Sequence, residues 1–465
     1  MLKHKNKFSA YQNLANEICL EFQSRGFVCY WVGGAVRDML LQQVSSDIDL
    51  ATNATPLQIK EVVAKKYKIY TIGEKFGTIG VITAEDNIEI TTFRAESGYS
   101  DSRHPDKVIY AKTAKEDSNR RDFTVNALYW NPGADEVLDF HGGLKDLKAK
   151  TLRFVGKAEE RIKEDPLRLI RAIRFAAMLD FKIVAKDQKF ISKHFKEINK
   201  ISGQRIKNEL DKILLSDNFL SGILLLNETK ILKALFPEVD NLRKIGQSND
   251  YHAEGNVFNH TLKALAAVYK NKNDYNLTLR YAVLFHDTGK AFTAQSGERK
   301  GRAHVSFHGH AQKSAEAFAR IAKRFPFAKA QRKEIAWLLR HHMDLLNITE
   351  LSEKTLVKLI KNPQSTDLIR LRIADSLGAT MTNREGKVIP KNIFEPKNLI
   401  RRIQKLQTLY QVNLLNGDDL IKLLKIKSGK EVGFILEKIK TEQIFGRIKN
   451  KKEAVAFVTK YYLRK

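Results

Sequence analysis

Cysteine is almost missing: Cys19 and Cys29 are the only two in 465 residues. Two thiols cannot build a disulfide framework or a thiolate-rich zinc site. Prolines number 9 and glycines 25, which excludes a collagen-like chain, and 43% hydrophobic residues argue for packed cores rather than disorder. No apolar run approaches the roughly 18 residues needed to cross a bilayer. The start, Met1-Leu2-Lys3-His4-Lys5, is basic but leads into no apolar signal core. These absences argue for a cytoplasmic protein with no membrane partner. Acidic residues are also in short supply, 53 against 81 lysines and arginines, a formal charge of +28. An excess of this size suits polyphosphate, because each neutralised phosphate releases counterions. Nucleic acid is therefore the first partner to consider.

At about 150 residues per domain the length suggests roughly three compact units. Hydrophobic periodicity predicts a helix over 8–25, a strand over 27–32 stopped by Gly33-Gly34, a helix from Ala35 to Gln42 and a strand over 46–50. A helix opening at Pro56 and strands over 79–83 and 88–93 complete an α/β head within residues 1–150. The remainder reads as helical: 151–240, a histidine-rich stretch 241–391, and a basic tail 392–465 that begins where Pro390 and Pro396 interrupt the pattern. Gly417, Gly429 and Gly433 are the expected turn points of the tail. The fold class is thus α+β, a small mixed sheet with helices followed by all-helical segments.

The chemistry begins at Gly33-Gly34-Ala35-Val36-Arg37, two glycines between a strand and a helix. Such a turn lets a triphosphate approach free helix N–H groups, with Arg37 as a cation one turn in. Asp47 and Asp49 follow, two apart and so on one face of a strand. Carboxylates held that close repel unless a cation lies between them, so the pair reads as a magnesium site for two-metal nucleotidyl transfer. In Arg120-Arg121-Asp122-Phe123-Thr124-Val125-Asn126, Arg121 can reach the triphosphate while Asp122 and Asn126 can bond ribose hydroxyls. Asp165 and Arg168, one turn apart, form a potential base reader. The carboxylate accepts from an exocyclic amine and the guanidinium donates to a ring nitrogen, an arrangement that admits cytosine and adenine and opposes uracil and guanine. Arg171 and Arg174 extend the same basic stripe.

These motifs together resemble the bacterial class II tRNA nucleotidyltransferase and poly(A) polymerase family, with its polymerase-β-like head. The carriers are GGAVRD at 33–38, DID at 47–49, RRDFTVNAL at 120–128, LDFHGGLKDL at 138–147, EDPLRLIRAIRFA at 164–176 and GQRIKNELDKIL at 203–214. The resemblance implies magnesium on Asp47 and Asp49, triphosphate and sugar on Gly34, Arg37, Arg121 and Asp122, and base selection by Asp165 and Arg168. Gln204 departs from the family's glutamate. Thr91–His104 is similar to the loop that CCA-adding members use to switch from C to A. The tail's Leu415–Leu420 and Ser428–Lys430 look like the same type. The expected activity is addition of C, C and A to tRNA from CTP and ATP, with no DNA involved. The alternatives are a poly(A) polymerase or an A-adding relative.

A histidine and aspartate series supplies a second constellation: His260, His286-Asp287, His308-Gly309-His310, His341-His342 and Asp375. Nitrogen and oxygen ligands without thiolate suit one or two ions such as magnesium, manganese, nickel or iron. The series resembles the HD phosphohydrolase superfamily. That likeness implies His260, His286, Asp287 and Asp375 as the minimum set, His310 and His341 as additions for a second ion, and His308 and His342 as alternates. It implies hydrolysis of RNA ends or cyclic phosphates by residues 241–391, and leaves one rival from another class, an HD phosphodiesterase whose head only grips RNA. The paired aspartates weigh against that rival and against a non-enzymatic RNA chaperone, since gripping RNA needs no acidic metal site.

Overall fold

The computed structural model describes residues 9–43, 45, 47–97, 107–246, 255–299, 302–345, 352–382, 388–390 and 396–463. The chain divides into two compact units, Met1–Pro237 and Glu238–Lys465, a coarser partition than the four segments expected from the sequence. No helix among the described residues is long and apolar enough to cross a membrane.

The first unit opens with helix α1 (Ala10–Ser24), whose start is fixed by a reciprocal cap between Ser9 and Gln12. Its apolar face, Tyr11, Ala15, Ile18, Cys19 and Phe22, is buried. Strand β1 (Cys29–Val32), helix α2 (Gly34–Leu40), strand β2 (Ile48–Thr52) and helix α3 (Pro56–Val63) follow. Then come β3 (Ile69–Tyr70), β4 (Thr78–Val81), β5 (Ile88–Thr92) and a separate hairpin of β6 (Arg94–Ser97) with β7 (Lys107–Tyr110). After helix α4 (Ala114–Ser118), strands β8 (Leu128–Asn131) and β9 (Glu136–Asp139) complete a seven-stranded sheet in the order β3-β4-β5-β2-β1-β8-β9. Every pairing is antiparallel except β2 with β5.

Period-two alternation assigns the two faces of this sheet different work. Cys29, Trp31, Ile48, Leu50, Leu128 and Trp130 face the main core beneath α1 to α3. Trp31 and Trp130 lie in register with ring centroids 5.0 Å apart. Val32, Ala51 and Tyr129 belong to a smaller cluster, and Asp49 sits on that same side, between Leu50 and Ile48. Helices α5 (Gly143–Lys148), α6 (Ala158–Glu164), α7 (Arg168–Leu179), α8 (Ala185–Lys193), α9 (Gly203–Leu215) and α10 (Phe219–Glu228) follow the sheet. Asp165 closes α6, and α7 begins at Arg168, two residues past Pro166.

The second unit is helical, with two short hairpins that the helical reading did not include: Gln295–Arg299 with Arg302–Ser306, and Thr380–Thr382 with Val388–Pro390. Helices Val257–Lys270 and Ser365–Gly378 pack side by side and carry His260 and Asp375. In the tail, Leu415, Leu420, Val432, Ile435, Ile439, Ala454 and Val458 form a core. Gly417 and Gly429 mark helix starts as expected, whereas Gly433 lies inside the helix Lys430–Ile444.

Trp31→Ala should remove a fully buried ring and its cross-strand partner's contact, at a cost of about 3–5 kcal/mol. Urea unfolding followed by far-UV circular dichroism checks this: the transition of the first unit should move to lower denaturant while that of the second stays in place.

Candidate functional site

A cavity of about 630 Å³ opens on the Asp49 face of the sheet and gathers most of the sequence candidates. Gly33, Gly34, Arg37, Asp47, Asp49, Arg121, Asp122, Asn126, Asp165, Arg168 and Arg171 all line it. Gly33 holds φ +73 at the start of α2, and a Cβ there would meet Arg121 Nη1 at 3.1 Å. Both the backbone conformation and the close cation therefore demand glycine. The first turn of α2 presents its N–H groups next to that guanidinium, an arrangement suited to an anion.

Asp47 precedes β2 and is exposed; Asp49 lies within it, in register with Val32 of β1 and Glu89 of β5. Burial and the Asp47 carboxylate push Asp49 up to about 6, against the pull of Arg121. Burial and Asp86 raise Asp47 as well. Two carboxylates whose proton affinities are both raised, Asp49 partly by Asp47 itself, are a donor set for a hard divalent cation, whose charge removes the conflict. The pair therefore fits a divalent ion.

The cations opposite are held by a buried carboxylate that the sequence reading did not single out. Asp117, at the end of α4, accepts hydrogen bonds from Tyr129 Oη (2.6 Å), Arg120 Nε (2.9 Å), Arg121 Nη2 (3.3 Å) and the Arg94 N–H (3.1 Å). Burial would raise it, but Arg120, Arg121 and Tyr129 hold it down at about 2. A second chain of bonds crosses the floor of the cavity. Arg37 Nη1 donates to Asn126 Oδ1 (2.6 Å), Asn126 Nδ2 to Asp122 Oδ1 (3.2 Å), and Arg171 Nη2 to Asp122 Oδ2 (2.5 Å). Burial opposes the Asp122 charge, yet Arg171 keeps its carboxyl below the ordinary range.

Asp165 and Arg168 reach the cavity from the break between α6 and α7, each already engaged. Asp165 accepts from the Leu167 N–H (3.0 Å) and from Arg205 Nη2 (2.6 Å); Arg168 is held by Glu164 and donates to the Arg120 carbonyl (2.9 Å). Arg205, on α9, lines the cavity and was overlooked, although it stands inside a quoted motif, directly after Gln204. Gln204 itself is exposed and bonds Asn208. Arg174 departs from its expected role. It is buried against Glu209 (2.6 Å) and over the Phe175 ring, outside the cavity lining. Three-residue steps lag a 3.6-residue helix by about 60° each, so the stripe that starts at Arg168 turns away by its third member. Of the segment Thr91–His104, residues 98–104 fall outside the described residues; its first part forms the end of β5 and strand β6.

In the second unit the ligand-type residues converge on Asp287. His260, His286 and Asp287 form one buried group, and Asp287, His310 and His342 another. His260 Nε2 lies 2.9 Å from Asp375 Oδ1, and His310 Nε2 lies 3.1 Å from His342 Nε2. The Nδ1 atoms of His286, His310 and His342 each sit 2.7–2.8 Å from a backbone carbonyl, of Val283, Phe307 and Leu339. That orientation turns Nε2 toward the cluster, and His286 Nε2 is buried there without a hydrogen-bond partner. Burial, reinforced by His286 and His310, pushes His342 down to about 3, so it stands neutral, the ligand form. These observations fit a divalent ion.

One expectation for this cluster is corrected. His341 points away, with Nδ1 2.9 Å from Asp344 and its ring against Trp337, and His342 takes the place expected for it. Adjacent helical residues project about 100° apart, so only one of the two can face inward. His308 is exposed.

Family models match residues 29–153 (Poly A polymerase head domain), 180–242 (Probable RNA and SrmB-binding site of polymerase A), 257–380 (HD domain) and 388–458 (tRNA nucleotidyltransferase domain 2). The CCA-adding enzyme of Streptococcus thermophilus is 32% identical over 441 residues, 94% of this chain and 94% of its own. That of Enterococcus faecalis is 41% identical over 216 residues, 46% of this chain and 52% of its own. Among solved structures, the Bacillus stearothermophilus CCA-adding enzyme in complex with CTP superposes with a TM-score of 0.68 at 22% identity, covering 97% of this chain and 98% of that one. The Thermotoga maritima CCA-adding enzyme complexed with tRNA-CCA gives 0.66 at 21% identity, over 98% and 96%. Both share the fold.

The depressed Asp117 carboxyl makes the first unit acid-labile in a defined window. A group lowered from the ordinary 3.8 to about 2 contributes stability that is complete above pH 4 and lost as pH falls to 2, roughly 2 kcal/mol in all. Acid unfolding followed by tryptophan fluorescence should show that Asp117→Asn is less stable than the wild type at pH 7, with the gap narrowing between pH 4 and 2.

Proposed function

The chain belongs to the family of CCA-adding enzymes, and from that premise we propose that it adds C, C and A to the 3′ end of tRNA, using CTP and ATP without a nucleic-acid template. The observation that carries this reading is a single cavity holding the glycine turn, the Asp47/Asp49 pair, the Asp165/Arg168 pair and five further arginines. The 3′-hydroxyl of the RNA attacks the α-phosphorus, a phosphodiester forms and pyrophosphate leaves. Arg37 and Arg121 bind the triphosphate at the N-terminus of α2, and Asp122 and Asn126 hold the ribose. Asp165 accepts from the amine of C or A while Arg168 donates to the adjacent ring nitrogen, so uracil and guanine meet like groups. Magnesium on Asp47 and Asp49 would supply Lewis acidity at the attacking and leaving oxygens. Placing Asp165 on Arg205 and Arg168 on Glu164 before a nucleotide arrives pre-orients both readers.

The second unit contributes a metal-dependent phosphohydrolase, with an ion held by His260, His286, Asp287, His310, His342 and Asp375 acting on RNA ends or cyclic phosphates. The basic tail from about residue 395 grips the tRNA body through phosphates. The work is done in the cytoplasm.

The test is to incubate the protein with magnesium and tRNA ending before CCA, offer CTP and ATP singly and together, and sequence the 3′ ends. Asp49→Asn should lower addition at least a thousandfold with tRNA affinity retained, since charge at the developing oxyanions is lost rather than packing. His286→Ala should eliminate hydrolysis of a 2′,3′-cyclic phosphate and leave addition within twofold of wild type. Near-normal addition by Asp49→Asn removes the catalytic assignment; loss of both activities in a folded His286→Ala protein removes the division of labour.

A further inference from the structure

A second cavity, of about 250 Å³, lies in the first unit. Its walls are Ile162, Lys163 and Pro166 from α6 and the break that follows, and Phe190, His194 and Lys200 from α8 and the turn Phe195–Lys200. Phe190 and His194 are partly exposed and stacked, with ring centroids 4.2 Å apart and planes inclined by 16°.

The charges around this cavity fall into two zones. At the lining, Lys163 pairs with Glu159 (2.9 Å) and Lys200 with Glu197 (2.6 Å), so the two carboxylates and two ammonium groups cancel. Outside it, Lys189 and Lys193 on α8 and Lys196 in the turn that follows are exposed, and no described carboxylate pairs with them. An interior walled by flat rings, its own charges paired, beneath a cationic rim suits a molecule whose ring is neutral and whose charge trails outside.

We propose that this cavity seats one unstacked base of the RNA substrate, against the Phe190–His194 rings, with its flanking phosphates on Lys189, Lys193 and Lys196. The inference rests on RNA being the substrate, and specifies a base-binding subsite apart from the nucleotide cavity. Unpaired bases stack on phenylalanine and histidine whatever their identity, because every base offers a π face, while the backbone follows cations. A free nucleoside triphosphate fits less well, since the ammonium groups at the lining, Lys163 and Lys200, are already paired with Glu159 and Glu197. Ile162 and Pro166 flank Asp165 in the chain, so the seated base touches the segment that carries the nucleotide reader.

The experiment uses the full chain and tRNA lacking CCA, with 2-aminopurine placed at one unpaired or terminal position at a time. One position should be quenched on binding to wild type and remain bright with Phe190→Ala. The same variant should raise KM for tRNA about five- to a hundredfold, leaving kcat and KM for CTP unchanged. Phe190→Leu keeps the apolar volume and loses the ring, and should match Phe190→Ala; Phe190→Trp should restore binding. If Phe190→Leu binds RNA like wild type, or no position is quenched, the cavity is only packing and the proposal falls, while normal CCA addition leaves the catalytic reading intact. Absence of addition by the wild type would instead remove the RNA substrate itself. Quenching that free CTP or ATP abolishes through this cavity, surviving Arg121→Ala, would assign it to mononucleotides and overturn the RNA assignment.

Discussion

Arginines must point into an aqueous cavity from a protein interior, and buried carboxylates are what let them. Asp117 makes this concrete: fully buried, it binds two guanidinium groups, a phenol and a backbone N–H at once. Desolvating the charges of such a buried network offsets most of their attraction, and the roughly 2 kcal/mol that Asp117 contributes is the remainder. What the network fixes is direction. Arg121 is pinned on its far side, so its remaining donors face Gly33 and the cavity. Arg171 on Asp122, and Asp165 on Arg205, repeat the device. The first unit thus stores cations where a polyanion arrives, at the cost of a network that tolerates loss of no single partner.

The two units use different donor chemistries. In the sheet, two carboxylates line an open cavity with their proton affinity raised, by burial and by neighbouring carboxylates, a state that a hard cation relieves. In the helical unit the donors are mostly imidazoles, buried and oriented by backbone carbonyls, converging on one shared carboxylate, Asp287. The former arrangement suits an ion that enters with substrate phosphates; the latter suits an ion held by the protein itself.

Much of this was legible in the sequence because its chemistry is local. Gly33-Gly34 between a strand and a helix and the aspartates two apart each encode their geometry within a few residues, whereas the HD series, spread from His260 to Asp375, is legible by its resemblance to a known pattern. The sequence hid whatever depends on helical phase or long-range approach. Arg174 continued a repeat of three, but helical drift carries it onto Glu209. His341 and His342 are equivalent in composition, and only the packing of their helix selects His342. Arg205 and Asp117 act through partners 40 and 12 residues away, Asp165 and Tyr129, so no spacing rule points to them. The start of α7 is local by contrast: Asp165 and Pro166 precede it, and the Asp165 carboxylate accepts from the Leu167 N–H.

The order of the strands has a consequence for how the protein comes into being. The central strand β1, residues 29–32, lies between β2 and β8, and Trp31 meets Trp130 across nearly a hundred residues of intervening chain. A ribosome therefore delivers β1 to β5 long before the strand that covers the open edge of β1. Until then that edge is a row of unpaired amides beside exposed aromatic rings, the kind of surface that invites pairing with another chain. The cavity matures later still, since its lining runs from Gly33 to Arg205. Nascent chains shorter than about that length have no nucleotide site to be stabilised by ligand, so for this fold the interval of synthesis between the first glycine and the last arginine is the period of greatest exposure to aggregation.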